Sequence, residues 1–156
     1  MNVYHLDTDY LICFAEPYHD GHARAEADMR EWLTLGRRIG ASAVAWREFY
    51  SGKSKPRPPL EVINTREMLT AGIIRYGTRQ AEKAAELFNQ VGRLKRLRGD
   101  CDIAATAIIA NAELATFNLD DFKRFIPFGL RIVGFTPLPR PVARQEYSLV
   151  QRKVAL

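Results

Sequence analysis

Cysteine is scarce in this chain. Cys13 and Cys101 stand alone and far apart, which excludes a disulfide framework and points to a reducing, cytoplasmic setting. Long apolar runs are missing too: no stretch approaches the roughly 20 residues that cross a bilayer. Met1 to Ile12 has neither the basic start nor the small-residue cleavage site of a secretory leader, so no membrane partner is expected. No internal repeat is found, which excludes a repeat array. Acidic residues are outnumbered, 18 against 23 Lys and Arg in 156 residues, giving a formal charge of +5 and a basic pI near 9.4. Such a balance suits an acidic polymer better than an acidic small molecule. The length accommodates one domain with a real core, read as residues 1–135. The only compositional break follows Phe135, where TPLPRPVARQ opens a basic, proline-containing tail over residues 136–156.

What is present is an alternation of short apolar runs with longer helical patterns. It predicts an α/β fold, a three-layer α/β/α sandwich with a mostly parallel central sheet. Val3 to Leu6 reads as the first strand and Tyr10 to Ala15 as a helix. His22 to Gly36 continues the helical period, with Ala23, Ala27, Met29, Trp32 and Leu33 on its apolar side. Arg38 to Ala41 is the second strand, and Ser42 is the expected N-cap of the helix AVAWREFYSG, which ends near Gly52. After the basic loop KSKPRPP come a helix over Leu60 to Ala71, an extended run Ile73 to Tyr76, and a long helix capped by Thr78 and reaching about Leu97. Ile103 to Ala112, small and apolar nearly all round, reads as a helix wedged against the sheet; Leu114 to Phe117 and Arg131 to Phe135 complete the strands.

The chemistry lies in the acids. Asp7 closes the first strand, on the sheet edge where open α/β folds place their ligand crevice. Glu48, Asp100 and the pair Asp120 and Asp121 form three further acidic stations. Taken singly each has an ordinary explanation: Asp7 and Asp100 as helix caps, Glu48 as a solvated side chain, Asp120 and Asp121 as loop residues after Asn118. Asp102 stands about 200° round the helix from Asp100, so it serves as first-turn helix charge and not as a fellow ligand. Brought together, such carboxylates repel unless a hard cation binds, and Mg²⁺ or Mn²⁺ prefers oxygen ligands.

In order, the stations resemble those of PIN-domain proteins, and in particular VapC-type toxin ribonucleases of type II toxin-antitoxin systems. Four blocks carry the likeness, over Met1 to about Phe135: Asp7, Thr8 and Asp9; Ser42 with Glu48, Phe49 and Gly52; Asp100 with Ile103, Ala104 and Ala105; and Thr116, Asn118, Asp121 and Phe122. Four spaced blocks in one order are far more specific than any one of them.

The resemblance implies a Mg²⁺- or Mn²⁺-dependent endoribonuclease that cuts single-stranded or loop RNA. Asp7 and Asp100 would hold a first ion, and Glu48 and Asp121 would bind a second or orient metal-bound water. Thr8, Asp9, Ser42, Thr116 and Asn118 would support those acids, with Asn118, Asp120 and Asp121 competing for the fourth station. Arg93, Lys95, Arg96 and Arg98 would grip RNA phosphates, a contact that gives affinity without reading sequence. Lys53, Lys55 and Arg57 form a second basic strip, for which a solvated loop is the readier explanation. The resemblance further implies a cognate antitoxin, to whose contact Trp32, Trp46, Phe49 and Tyr50 could contribute if not absorbed in the core, and a homodimer. Arg140, Arg144, Arg152 and Lys153 give the tail a possible share in RNA or dimer contacts.

Two other readings stand beside this one. A PIN-like fold could bind RNA or a partner without cutting. LDTDYL also resembles the D-x-D opening of haloacid dehalogenase-like phosphatases, where the first aspartate is a nucleophile; that scheme leaves Glu48 without a role, and Leu11 stands where the motif carries Thr or Val.

Overall fold

A computed structural model describes residues 2–135. Five strands form one sheet in the order β3-β2-β1-β4-β5: β1 Val3–Leu6, β2 Arg38–Ser42, β3 Gly72–Ile74, β4 Glu113–Ala115 and β5 Arg131–Ile132. Every pairing is parallel, with Leu6 facing Ala41 on one side and Ala115 on the other. Parallel neighbours need crossovers, and helices provide them. They are α1 Thr8–Ala15, α2 His22–Thr34, α3 Ala43–Ser51, α4 Pro59–Met68, α5 Thr78–Gln90, α6 Arg98–Ile109 and α7 Leu119–Phe122. The three-layer α/β/α architecture expected from the alternation is the one observed.

The central strands are buried on both faces, so they read as near-continuous apolar runs. Leu6, Ile39, Ala41 and Leu114 are wholly inaccessible. The helix α6 is small and apolar for the same reason: Cys101, Ile103, Ala104, Ala105 and Ala107 are all buried between α5, α3 and the sheet.

Ser42 caps α3 as expected, its hydroxyl accepting the Ala45 N–H at 3.0 Å. Gly52 then ends that helix at φ 69°, and a β-carbon there would stand 2.1 Å from the Lys55 carbonyl oxygen. Only glycine fits such a turn.

Several elements differ from expectation. On α2 the buried residues are Ala25, Met29 and Trp32, spaced i, i+4, i+7, while Ala23 and Ala27 face solvent. Methyl groups cost little when exposed, so alanine marked the face poorly. Thr78 is the first residue of α5 and not its cap; Gly77 holds that position, and the Gln80 side chain accepts its N–H at 3.1 Å. The helix expected to run to Leu97 stops at Gln90, because Gly92 and Arg93 turn left-handed at φ 82° and 59°. The Arg93 N–H closes back on the Phe88 carbonyl at 2.8 Å in the manner of a Schellman end. A single 3₁₀ turn, Lys95–Leu97, then leads into α6. Asp100 therefore sits in the first turn of α6, with Leu97 at the cap position. β4 and β5 are shorter than expected. A 3₁₀ segment, Lys123–Phe128, joins the short α7 to β5. The basic tail lies outside the described residues.

Candidate active site

The strand order reverses between β1 and β4, because the chain leaves β1 toward β2 on one side and returns to β4 on the other. Loops diverge at such a point and open a crevice beyond the carboxyl ends of the strands. Asp7 stands there. Its backbone N–H donates to the Ala115 carbonyl at 2.9 Å, tying the ends of β1 and β4 together.

Asp7 is 5 % exposed. Its carboxylate accepts the Thr8 N–H at 2.7 Å, as a cap of α1, and the Thr116 hydroxyl at 2.8 Å. The helix-cap reading of Asp7 is borne out, and its second oxygen is turned to Thr116 at the crevice. Asp9, one residue into α1, accepts the Phe117 N–H at 3.0 Å on one oxygen, while its other oxygen is buried without a partner. Glu48 reaches in from α3 and accepts the Thr8 hydroxyl at 2.6 Å. Its second oxygen lies 3.2 Å from where a β-carbon on Gly99 would be. The small residue before Asp100 thus leaves room for the Glu48 carboxylate beside the start of α6.

Asp121 completes the group. It accepts from Arg96 Nη1 at 2.6 Å and from the Asn118 side-chain amide at 3.2 Å, with Arg124 4.0 Å away. Asp120 is turned to solvent and pairs with Lys123 at 2.9 Å. Of the three candidates for the fourth station, Asp121 faces the other acids and Asn118 steadies it. The Asn118 N–H also donates to the Thr116 hydroxyl at 2.9 Å, linking the two ends of the acid group.

These carboxylates perturb one another. Burial pushes Asp7 well above the usual carboxylate range, and the charges of Asp9 and Asp100 add to the rise against the hydrogen bonds from Thr116 and Thr8. Asp9 is also raised, by burial. Asp100 is pushed up to about 6, first by burial, then by Asp121 and Glu48, with Arg96 opposing. Asp121 alone is lowered, by the hydrogen bonds from Arg96 and Asn118. Like charges that hold one another's protons mark a site short of positive charge.

The donor set is all oxygen and suits a hard cation, and the orphaned oxygen of Asp9 has capacity to spare. Among the described residues no three acidic, imidazole or thiol groups already close on one point as a cage. Glu48 is engaged with Thr8 and Asp121 with Arg96, so an arriving cation would compete with those contacts.

Other expected residues fall elsewhere. Ser42 is fully engaged as the cap of α3 and touches no site acid. Asp102 faces away, accepting the Tyr76 hydroxyl. Arg93 and Arg98 both lie over the Phe88 ring at 5.0 Å and line a separate groove of about 450 Å³ between α5 and α6. Of the cationic run only Arg96 contacts a site acid. Arg57 is buried, accepted by Glu16 and Glu61 at 2.9 and 3.0 Å and seated on the Phe49 ring. It clamps the proline-rich loop to the core. Trp32, Trp46 and Phe49 are core residues, and only Tyr50 is exposed. Arg124 and Gly99 were not foreseen. The first was legible as a cation three residues after Asp121, whereas the second needed the packing of α3 against α6.

A parallel sheet with acids from four separate segments gathered at its switch point is the arrangement of a PIN domain. The PIN domain family model matches residues 4–126, and the chain belongs to that family. Solved structures agree. A chain of a toxin-antitoxin complex from Klebsiella pneumoniae is 27 % identical, with a TM-score of 0.57, covering 78 % of this chain and 90 % of that one. A chain of DNA-bound VapBC from Salmonella typhimurium is 25 % identical, with a TM-score of 0.60 over 85 % and 97 % of the two chains. VapBC2 from Rickettsia felis, bound to a promoter DNA fragment, shares the fold with a TM-score of 0.62 at 24 % identity, over 83 % and 96 %. No curated protein sequence matches significantly. The likeness to a VapC-type PIN-domain protein drawn from the four sequence blocks is borne out, and the phosphatase resemblance is set aside.

Proposed function

We propose that this chain is a divalent-cation-dependent endoribonuclease acting on single-stranded or loop RNA, the toxin of a VapBC-type pair. One observation carries the reading: Asp7, Glu48, Asp100 and Asp121, drawn from four segments, lie close enough that the charges of Asp121 and Glu48 add to the burial that raises Asp100, and the charge of Asp100 adds to the burial that raises Asp7. A protein gains nothing in stability from such a grouping; a cation site does.

Asp7 and Asp100 would hold Mg²⁺ or Mn²⁺ directly, with Glu48 and Asp121 completing the site. When bound, such an ion makes a nucleophile of water at neutral pH and offsets charge on the scissile phosphate. The chain's own part is positional. Thr116 and the Thr8 N–H fix Asp7, the Thr8 hydroxyl fixes Glu48, and Asn118 fixes Asp121. Arg96 and Arg124 stand beside the acids, where RNA phosphates would approach.

The complexes among the similar structures support a cognate antitoxin as partner, and a homodimer is part of the proposal. Among the described residues no helix is long and apolar enough to cross a membrane; a cytoplasmic location is part of the proposal.

The test is cleavage of a labelled structured RNA with Mg²⁺ or Mn²⁺, beside EDTA and Asp100→Asn. Cutting by the wild type alone supports the reading. A folded wild type that leaves the RNA as its controls do sinks it.

A further inference from the structure

Phe117 is 40 % exposed, on the lip of the acid group. Its ring lies flat on Tyr10, centroids 3.9 Å apart and planes within 6°. Tyr10 is itself 5 % exposed and held from two directions: its hydroxyl donates to Asp28 at 2.8 Å, and its ring leans on Trp32 at 5.6 Å. Trp32 in turn meets Tyr4 edge-on at 5.2 Å. An aromatic column thus rises from the core, and Phe117 is its outermost member. One ring face is covered by buried Tyr10, so the face left to a ligand is the other.

The backbone of Phe117 is pinned as firmly. Its N–H donates to Asp9, the preceding Thr116 donates to Asp7, and the following Asn118 donates to Asp121. The ring therefore keeps a set position relative to three of the site acids. Arg96 and Arg124 lie on the Asp121 side. An immobilised aromatic plane, open on one face and flanked by cations, matches an unpaired nucleobase whose neighbouring phosphate enters the site. Stacking of this kind is indifferent to base identity, because every base has a π face. It demands an unpaired base, because a base within a helix is already stacked.

We propose that the outer face of Phe117 is the stacking platform for an unpaired base of the RNA, a substrate-binding residue that no sequence block singled out. The inference rests on the ribonuclease reading and specifies how that site selects single-stranded RNA.

The test uses a fluorescein-labelled single-stranded oligoribonucleotide, and a twin carrying 2-aminopurine. Binding is followed in Mg²⁺ with Asp100→Asn protein, so that the RNA stays whole, and with Phe117→Leu or Phe117→Trp added. Phe117→Leu should bind roughly tenfold more weakly and lose the 2-aminopurine quenching, while Phe117→Trp keeps both. Duplex RNA should not distinguish the variants. Cleavage by the single variant Phe117→Leu should show a raised KM with little change in kcat. Equal affinity and equal quenching for Phe117→Leu overturn the platform, and if the wild type still cuts, the nuclease reading survives alone. If nothing cuts yet Phe117→Leu still weakens binding, the platform stands and the nuclease reading falls. RNA that is neither bound nor cut removes both.

Discussion

Arg96 and Asp121, 25 residues apart, meet in a 2.6 Å ion pair at the edge of the acid group. The same guanidinium opposes the rise of the Asp100 pKa. It therefore occupies part of the charge deficit that a cation would fill, while remaining half exposed and within reach of a phosphate. Arg96→Gln is expected to tighten Mn²⁺ binding several-fold, measured by calorimetry, and to weaken RNA binding and flatten its salt dependence. A variant that loses cation affinity would show that Arg96 instead organises Asp121 as a ligand.

Asp100→Asn separates function from stability. The folded pKa of Asp100, about 6, lies above its ordinary value of 3.8. The folded state thus binds the proton more tightly, and the group costs stability progressively as pH rises from about 4 to 6. After discounting for solvent screening, the cost above pH 6 is about 1 kcal/mol. Metal-free Asp100→Asn should melt a few degrees higher at neutral pH and equally near pH 4, while losing the stabilisation that Mn²⁺ confers on the wild type.

His5 is buried in β1 with neither ring nitrogen hydrogen-bonded, and burial lowers its pKa to about 4. Here the unfolded chain takes up the proton first, at about 6.5. Stability is complete above that pH and declines as pH falls toward 4. His5→Leu should remove this limb from a plot of stability against pH. At neutral pH it should gain about 1 kcal/mol, by eliminating two unpaired polar atoms. A loss of stability there would mean that the imidazole has a partner in solution.

Arg57→Ala tests the proline-rich loop. It leaves Glu16, Glu61 and the Phe49 carbonyl without their shared donor. A destabilisation of about 1 to 2 kcal/mol is expected in urea unfolding, since the buried guanidinium and its packing on Phe49 are lost while the partly exposed carboxylates can turn to water. RNA affinity should be unchanged once the protein is folded. A fall in affinity at unchanged stability would return the loop to the substrate path.

Thr8→Val keeps the shape of the residue and deletes the 2.6 Å hydrogen bond to Glu48. Cation-dependent cleavage should fall about tenfold through loss of orientation, with the melting temperature nearly unchanged because the contact is exposed. Full activity would leave Glu48 positioned by its own helix alone.

Which parts of this molecule were legible in the chain follows from the range of the forces involved. The apolar runs Val3 to Leu6 and Arg38 to Ala41, the Ser42 cap and the glycine stop at Gly52 depend on a few neighbouring residues, and they stand where local pattern placed them. Asp7 at the end of β1 was equally readable, because the carboxyl ends of parallel strands lie on one edge of the sheet. The alternation of periods carried the three-layer fold.

Tertiary structure decided where the side chains point. Two left-handed residues, Gly92 and Arg93, break the long helix and swing Arg93 and Arg98 onto Phe88, away from the site to which sequence proximity had assigned them. Asp121 is turned toward the other acids and held by Arg96 and Asn118, while Asp120 pairs with Lys123 in solvent, a difference no reading of the pair in sequence supplied. Glu48 is turned toward the other acids by the Thr8 hydroxyl, 40 residues earlier in the chain, and lies against Gly99 of α6. Phe117 became a surface plane by stacking on a tyrosine more than a hundred residues earlier in the chain. Periodicity and capping are local properties and can be read along one dimension. The direction of a long or flat side chain is set by neighbours distant in sequence, and only packing brings those together.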